Sequence, residues 1–233
     1  ISLPPGRPAA RAPGSASVLR SLIPTWRSLL RRRPVLVLLG TSVLIMASIE
    51  IPFIVYGAWL ESSFGLSLGT LGLASIAIGA VEAVAEFGTT VITDRLGKRR
   101  SVLLGLMGLA GRLLLLPILA GMGLVVAMSG LVLAVLCFEF SIVSLQPLAT
   151  ELVPEARASL LSLNIMAISV GRMVGATSGG WLWQWQPEGI GSQAAAGAGC
   201  ALAAALLLWR GMGEIPAAAP GPPVERPRRV EES

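Results

Sequence analysis

The sequence predicts an all-α integral membrane protein with six transmembrane helices, and three observations support this prediction. The 233-residue chain is 54% hydrophobic and only 13% charged, whereas soluble domains carry roughly 25% charged residues. Its apolar residues form six runs, each near the roughly 20 residues needed to cross a hydrocarbon core. Its lysines and arginines lie beside these runs. Each run must be helical, because lipid offers the backbone no hydrogen-bond partner.

The predicted spans form one transmembrane unit, residues 34–210, between two polar ends. Residues 1–33 are rich in Pro, Arg, Ser and Gly and predict a basic cytoplasmic linker, while residues 211–233 predict a disordered cytoplasmic tail. In the second span, small residues such as Gly72 and Gly79 predict close helix contacts. The six spans are 34–60, 68–93, 101–120, 123–145, 159–181 and 189–210.

The cations predict the orientation of the chain. Of its 18 lysines and arginines, two lie inside spans and the other sixteen flank alternate span ends. The intervening loops, residues 61–67, 121–122 and 184–188, hold none. Because positive charge stays on the cytoplasmic side, both termini are predicted to be cytoplasmic, with the protein multi-pass in the plasma (inner) membrane. The tryptophans of residues 181–186 then fall at the outer interface.

The composition argues against enzyme, metal and nucleic-acid functions. The chain has no histidine, and its two cysteines, Cys137 and Cys200, lie far apart in apolar runs. Neither a disulfide framework nor a metal-ligand cluster can be recognised, and no nucleophile motif appears. We therefore predict a protein that is not an enzyme, needs no cofactor and binds no nucleic acid.

The loop after the second span, TDRLGKRR at residues 93–100, places an acid and four cations together. It resembles the cytoplasmic signature of the major facilitator superfamily, Gly-x-Leu-Ala-Asp-Arg-x-Gly-Arg-Arg, with Ile92 for the leucine and Thr90 for the first glycine. The resemblance implies that this loop acts as a conformational latch onto a helix end of the other half. The matching residues are Asp94, Arg95, Gly97, Lys98 and Arg99.

Two later segments extend the resemblance. Residues 151–164 resemble the loop before the fifth helix of a half, and residues 171–182 are similar to the glycine-rich fifth-helix motif of the family's antiporters, with Ala176 in place of proline. The family consists of two six-helix halves, so the resemblance implies a drug/sugar-efflux-like C-terminal half whose partner is a missing N-terminal half. The alternative is that this chain is the N-terminal half. Helix packing is assigned to Gly171, Gly175, Gly179 and Gly180.

Six ionisable residues lie inside the predicted spans, where each would cost about 2.5–3.5 kcal/mol at mid-bilayer. One interpretation is that they pair as structural staples. The other is that the carboxylates left without a cation exchange protons during transport, and both stay open. The six residues are Glu50, Glu82, Glu86, Arg112, Glu139 and Arg172.

Their positions suggest different roles. Glu82 and Glu86 share one helix face, and Arg172 is a candidate anion anchor or a partner for one of them. Glu50 lies two residues before Pro52, which can kink the first span. The resemblance implies that Glu50 and Glu139 face the solute, because the first and fourth helices of each half line the cavity.

These observations predict a secondary active transporter, with proton-coupled efflux of small organic solutes by alternating access. The antiporter-like glycine motif favours export, and the expected partners are a small solute, protons and the lipid bilayer. The alternative is a non-transporting receptor or assembly protein on the same scaffold. Substrate identity leaves no signature in these residues.

Overall fold

The computed structural model describes residues 24–186 and 189–212 of the chain. The predicted linker up to residue 23 and the predicted tail from residue 213 lie outside the described residues. Within the described ranges, six side chains of the third helix are also excluded: Val84, Phe87, Thr90, Val91, Ile92 and Asp94.

All regular structure in the described part is helical, which confirms the predicted all-α membrane bundle. A short helix of residues 24–29 and a 3₁₀ turn, Pro154–Ala156, accompany the main helices. The main helices are α1 Arg33–Phe53, α2 Tyr56–Phe64, α3 Leu68–Leu96, α4 Lys98–Ala120, α5 Leu124–Glu151, α6 Arg157–Trp185 and α7 Gly191–Gly211.

Length and composition allow five helical runs in the described part to cross a membrane, with α1 and α2 together forming the first. In the remaining helix, α3, the apolar stretch found among the described residues is shorter and covers Leu68–Ala83. The first run breaks after Pro52, because proline has no N–H to donate to Ser48 O. The backbone of α7 approaches this same carbonyl at Gly197, where an added Cβ would lie 2.4 Å from Ser48 O.

The packing of the helices has an internal symmetry. Helix α1 packs along α6 and α7, helix α5 packs along α3 and α4, and α4 packs against α7. Exchanging α1, α3 and α4 with α5, α6 and α7 converts the contacts of α1 into those of α5 and leaves the α4–α7 contact unchanged. The bundle is therefore two similar three-helix units, as expected for inverted repeats.

Close contacts between helices occur at glycines other than those predicted in the second span. Gly72 and Gly79 of α3 have no heavy atom within 4 Å of an added Cβ, whereas at Gly105 of α4 the Cβ would lie 2.3 Å from Ser141 Oγ of α5. The reason is that α3 lies at the edge of the bundle. Among its described apolar side chains only Ile78 is buried.

Two ends of the bundle can be distinguished. The start of α1, the α3–α4 and α5–α6 connections and the end of α7 form the basic end, where the flanking cations of the described chain lie. The other three connections form the opposite end. Trp181 and Trp185 of α6 lie there, 56% and 72% exposed, with their rings 5.4 Å apart.

Candidate functional site

At the basic end, a single residue connects α3 to α4. Gly97 ends one helix and begins the next with φ +86° and ψ 135°, a conformation that side chains disfavour. Its N–H donates to Thr93 O at 3.0 Å, and its carbonyl accepts from the N–H of Ser101 at 3.0 Å. The glycine thereby places the first residues of α4 against the ends of neighbouring helices.

Two of the predicted latch residues contact other helices of the same six-helix bundle. The Lys98 ammonium pairs with the Glu151 carboxylate at the end of α5, and Arg99 Nη2 donates to Trp209 O, in the last turn of α7, at 2.8 Å. Arg95 is exposed. The side chain of Asp94 lies outside the described residues.

A second ion pair closes the basic end beside these contacts. Arg32, just before α1, lies 3.2 Å from the carboxylate of Glu155 in the turn between α5 and α6. Both side chains are about half exposed or more, so solvent screens the pair and it contributes little to stability. Sequence reasoning missed Glu151 and Glu155 as partners, because nothing in the spacing says which helix ends are neighbours.

Inside the membrane region, Arg172 pairs with Glu50 and not with Glu82 or Glu86. Arg172 Nε lies 3.5 Å from Glu50 Oε2, and the side chains are 65% and 16% exposed respectively. The physical reason is helix placement, since α6 packs along α1 while α3 packs against α5. An arginine on α6 therefore meets the carboxylate of α1.

Three further carboxylates lie on the neighbouring helices α3 and α5. The half-buried Glu139 of α5 lies within electrostatic reach of Glu82 and Glu86 of α3. In the described part of the chain, none of the three has a lysine or arginine within ion-pair distance. Arg112 of α4 lies within electrostatic reach of the Cys137 thiol and likewise makes no ion pair there.

The symmetry of the bundle relates these two groups. The α1–α6 interface corresponds to the α5–α3 interface, and Glu50 and Arg172 lie on the helices of the first as Glu139 and Glu82 lie on the helices of the second. Each of these residues lies near the middle of its helical run. The α1–α6 interface thus holds an ion pair, whereas the corresponding α5–α3 interface holds carboxylates without one in the described part of the chain.

Glycines of α6 permit the close approach that forms the Glu50–Arg172 pair. An added Cβ would lie 2.4 Å from Val43 O at Gly171, 2.7 Å from Glu50 Cβ at Gly175 and 2.2 Å from Ile51 O at Gly179. At Gly180, the fourth predicted packing glycine, nothing lies within 4 Å.

Two buried polar pairs, which sequence reasoning did not identify, hold the same interfaces. The Ser42 hydroxyl of α1 donates to Asn164 Oδ1 of α6 at 2.6 Å. The hydroxyls of Thr93 on α3 and Ser144 on α5 share a 2.7 Å hydrogen bond. The sequence could not identify these pairs, because several spans contain Ser, Thr or Asn residues and only the packing of the helices shows which of them form hydrogen bonds. In the described residues, no group of three metal-ligating side chains is assembled.

Comparison with known proteins adds one finding to this geometry. A family model described as Major Facilitator Superfamily matches residues 38–231, a range that reaches from α1 past the end of α7. No curated protein and no solved structure matches the chain.

Proposed function

Because the chain belongs to the Major Facilitator Superfamily, whose members carry small-molecule solutes across lipid bilayers, we propose that this transporter exports small organic solutes in exchange for protons. Solute and protons would use the same central cavity, opened alternately to each side of the membrane. The observation that carries the proposal is the unequal charge at two corresponding interfaces: an ion pair between α1 and α6 and, among the described residues, carboxylates without an ion pair on α3 and α5.

The carboxylates of α3 and α5 are the proposed proton carriers. Glu139 lies near Glu82 and Glu86, and keeping all three ionised in a membrane would cost both desolvation and mutual repulsion. Protonation removes both costs. Glu50, by contrast, already has a cation at 3.5 Å. We therefore assign proton exchange to Glu139 and its α3 neighbours, and a positioning role to the Glu50–Arg172 pair.

The latch residues are proposed to control access from the basic end. Lys98 and Arg99 tie the start of α4 to the ends of α5 and α7, so the three helix ends would move as one body. Asp94, in the last turn of α3, would supply the contact that forms and breaks. We propose that the basic end is cytoplasmic and that the protein works in the plasma membrane with a second six-helix half.

A pH-gradient assay on the complete protein tests the proton-exchange assignment. Everted vesicles loaded with a pH-sensitive dye are energised and then challenged with a panel of amphipathic organic cations, ethidium among them, and with sugars. At least one solute should dissipate the gradient. Glu139→Gln keeps the side-chain volume and mimics the protonated acid, so it should reduce proton movement at least tenfold while solute exchange between the two sides continues.

Two matched variants define the controls. Glu61→Gln changes an exposed carboxylate of α2 at the opposite end and should leave proton movement unchanged. Glu50→Gln should lower the amount of folded protein, because Arg172 loses its partner. Wild-type, pH-dependent transport in the Gln variants of Glu50, Glu82, Glu86 and Glu139 alike would exclude proton coupling through these residues.

A further inference from the structure

The segment that precedes α1 has an unbalanced charge. Residues 1–33 contain seven arginines and no acidic residue. In its described part, the helix of residues 24–29 is held on the bundle by Leu29, which is 2% exposed, and by the half-buried Trp26. Arg27, on this helix, is therefore presented from a position fixed on the bundle.

A cleft of about 480 Å³ lies on this segment and is lined by Pro24, Arg27, Ser28 and Arg31. Arg27 and Arg31 are both exposed and, being four residues apart, lie near each other on one face. Neither makes an ion pair with a carboxylate in the part of the chain that the structure describes, whereas the adjacent Arg32 is bound to Glu155. The cleft thus offers two guanidinium groups whose positive charge is not neutralised by a carboxylate of the described chain, together with the hydroxyl group of Ser28.

The connectivity of the chain places this cleft at the level of the lipid headgroups. Arg31 lies two residues before the start of α1, which enters the membrane directly. Leu30 and Leu36, on either side of that start, are 42% and 49% exposed, so apolar surface suited to acyl chains adjoins the cations. A soluble anion would gain nothing from that apolar surface.

We propose that this cleft, formed by Pro24, Arg27, Ser28 and Arg31, binds the phosphate of an anionic phospholipid headgroup such as phosphatidylglycerol. Guanidinium groups bind phosphate oxygens through paired, charge-assisted hydrogen bonds, and juxtamembrane cation clusters attract anionic lipid. The bound lipid would hold the segment before α1 against the membrane surface. The proposal does not depend on the transported solute or on proton coupling.

The test measures lipid retention by the full chain in detergent. Native mass spectrometry counts phosphatidylglycerol bound during a titration against a constant background of phosphatidylcholine. Each juxtamembrane cation strengthens binding of anionic lipid roughly fivefold, so Arg27→Gln/Arg31→Gln should bind phosphatidylglycerol at least about tenfold more weakly. The matched control, Arg228→Gln/Arg229→Gln, removes the same charge from the far end of the chain and should bind as the wild type does.

Two further arms identify the source of the phosphate and the role of charge. Inorganic phosphate, at an ionic strength matched with chloride, should not displace the lipid beyond the effect of chloride. Arg27→Lys/Arg31→Lys keeps the charge and should stay within about threefold of wild-type binding. The proposal would be overturned by any of three results. These are an equal loss of lipid binding in the Arg228/Arg229 control and in Arg27→Gln/Arg31→Gln, displacement of the lipid by inorganic phosphate, and binding by Arg27→Lys/Arg31→Lys that is as weak as binding by the Gln variant.

Discussion

At the scale of single residues, the basic loop puts each of its charges next to a helix end. Three cations at the start of α4 are unfavourable for that helix dipole, and the Glu151 carboxylate beside Lys98 offsets one of them. Arg99 reaches the carbonyl end of α7, where a cation is favoured. Asp94 occupies the last turn of α3, a position where a negative charge is unfavourable for its own helix. We therefore predict that this charge has a role outside its own helix.

This reasoning predicts that Asp94→Asn impairs transport without impairing folding. The substitution keeps the size of the side chain and removes only its charge, so we expect unchanged protein abundance and a loss of solute flux of at least tenfold. Flux is measured with the complete protein in reconstituted vesicles. Glu155→Gln removes a carboxylate from the same end, in an exposed ion pair of small energetic value, and should leave flux near wild type. Normal flux in Asp94→Asn would contradict the latch role and would mean that the loop only sets the topology of the chain.

At the scale of helices, the backbones of α6 and α1 come into close contact at three glycines. The glycines of α6 at 171, 175 and 179 face α1, and their added Cβ atoms would fall between 2.2 and 2.7 Å from its nearest atoms. In lipid, such close approach allows dispersion contacts that stabilise helix pairs.

Two neighbouring glycines allow a matched test of this interface. Gly179→Ala places a methyl group 2.2 Å from Ile51 O, so α6 must move away from α1, at a cost of about 1–3 kcal/mol. Gly180→Ala meets nothing within 4 Å and should be neutral or stabilising by up to about 1 kcal/mol, because alanine favours helix more than glycine does. Thermal unfolding of both variants in detergent provides the comparison. Equal destabilisation by the two substitutions would contradict the packing of α6 on α1 described above.

At the scale of the whole molecule, the sequence predicts the features that depend on contact with lipid. It does not predict which helices pack against each other. Apolar runs and cation positions predicted the membrane helices, because the bilayer acts on each segment separately. The partner of Arg172 was wrongly expected on α3, since the spacing of one chain does not say which helices pack together. Gly72 and Gly179 look alike in sequence, yet one faces open space and the other a carbonyl group.

The orientation of the whole bundle is the remaining prediction, and it rests on the charge difference between its two ends. The basic end should face the cytoplasm, because translocating sixteen flanking cations is strongly disfavoured. Single cysteines are introduced at Ser63, exposed at the opposite end, and at Ala158, exposed at the basic end, in a chain whose Cys137 and Cys200 are replaced by alanine. A membrane-impermeant thiol reagent added to intact cells should label Ser63→Cys and spare Ala158→Cys until the cells are lysed. Labelling of Ala158→Cys alone would reverse the orientation and move the proposed latch and lipid cleft to the outer surface.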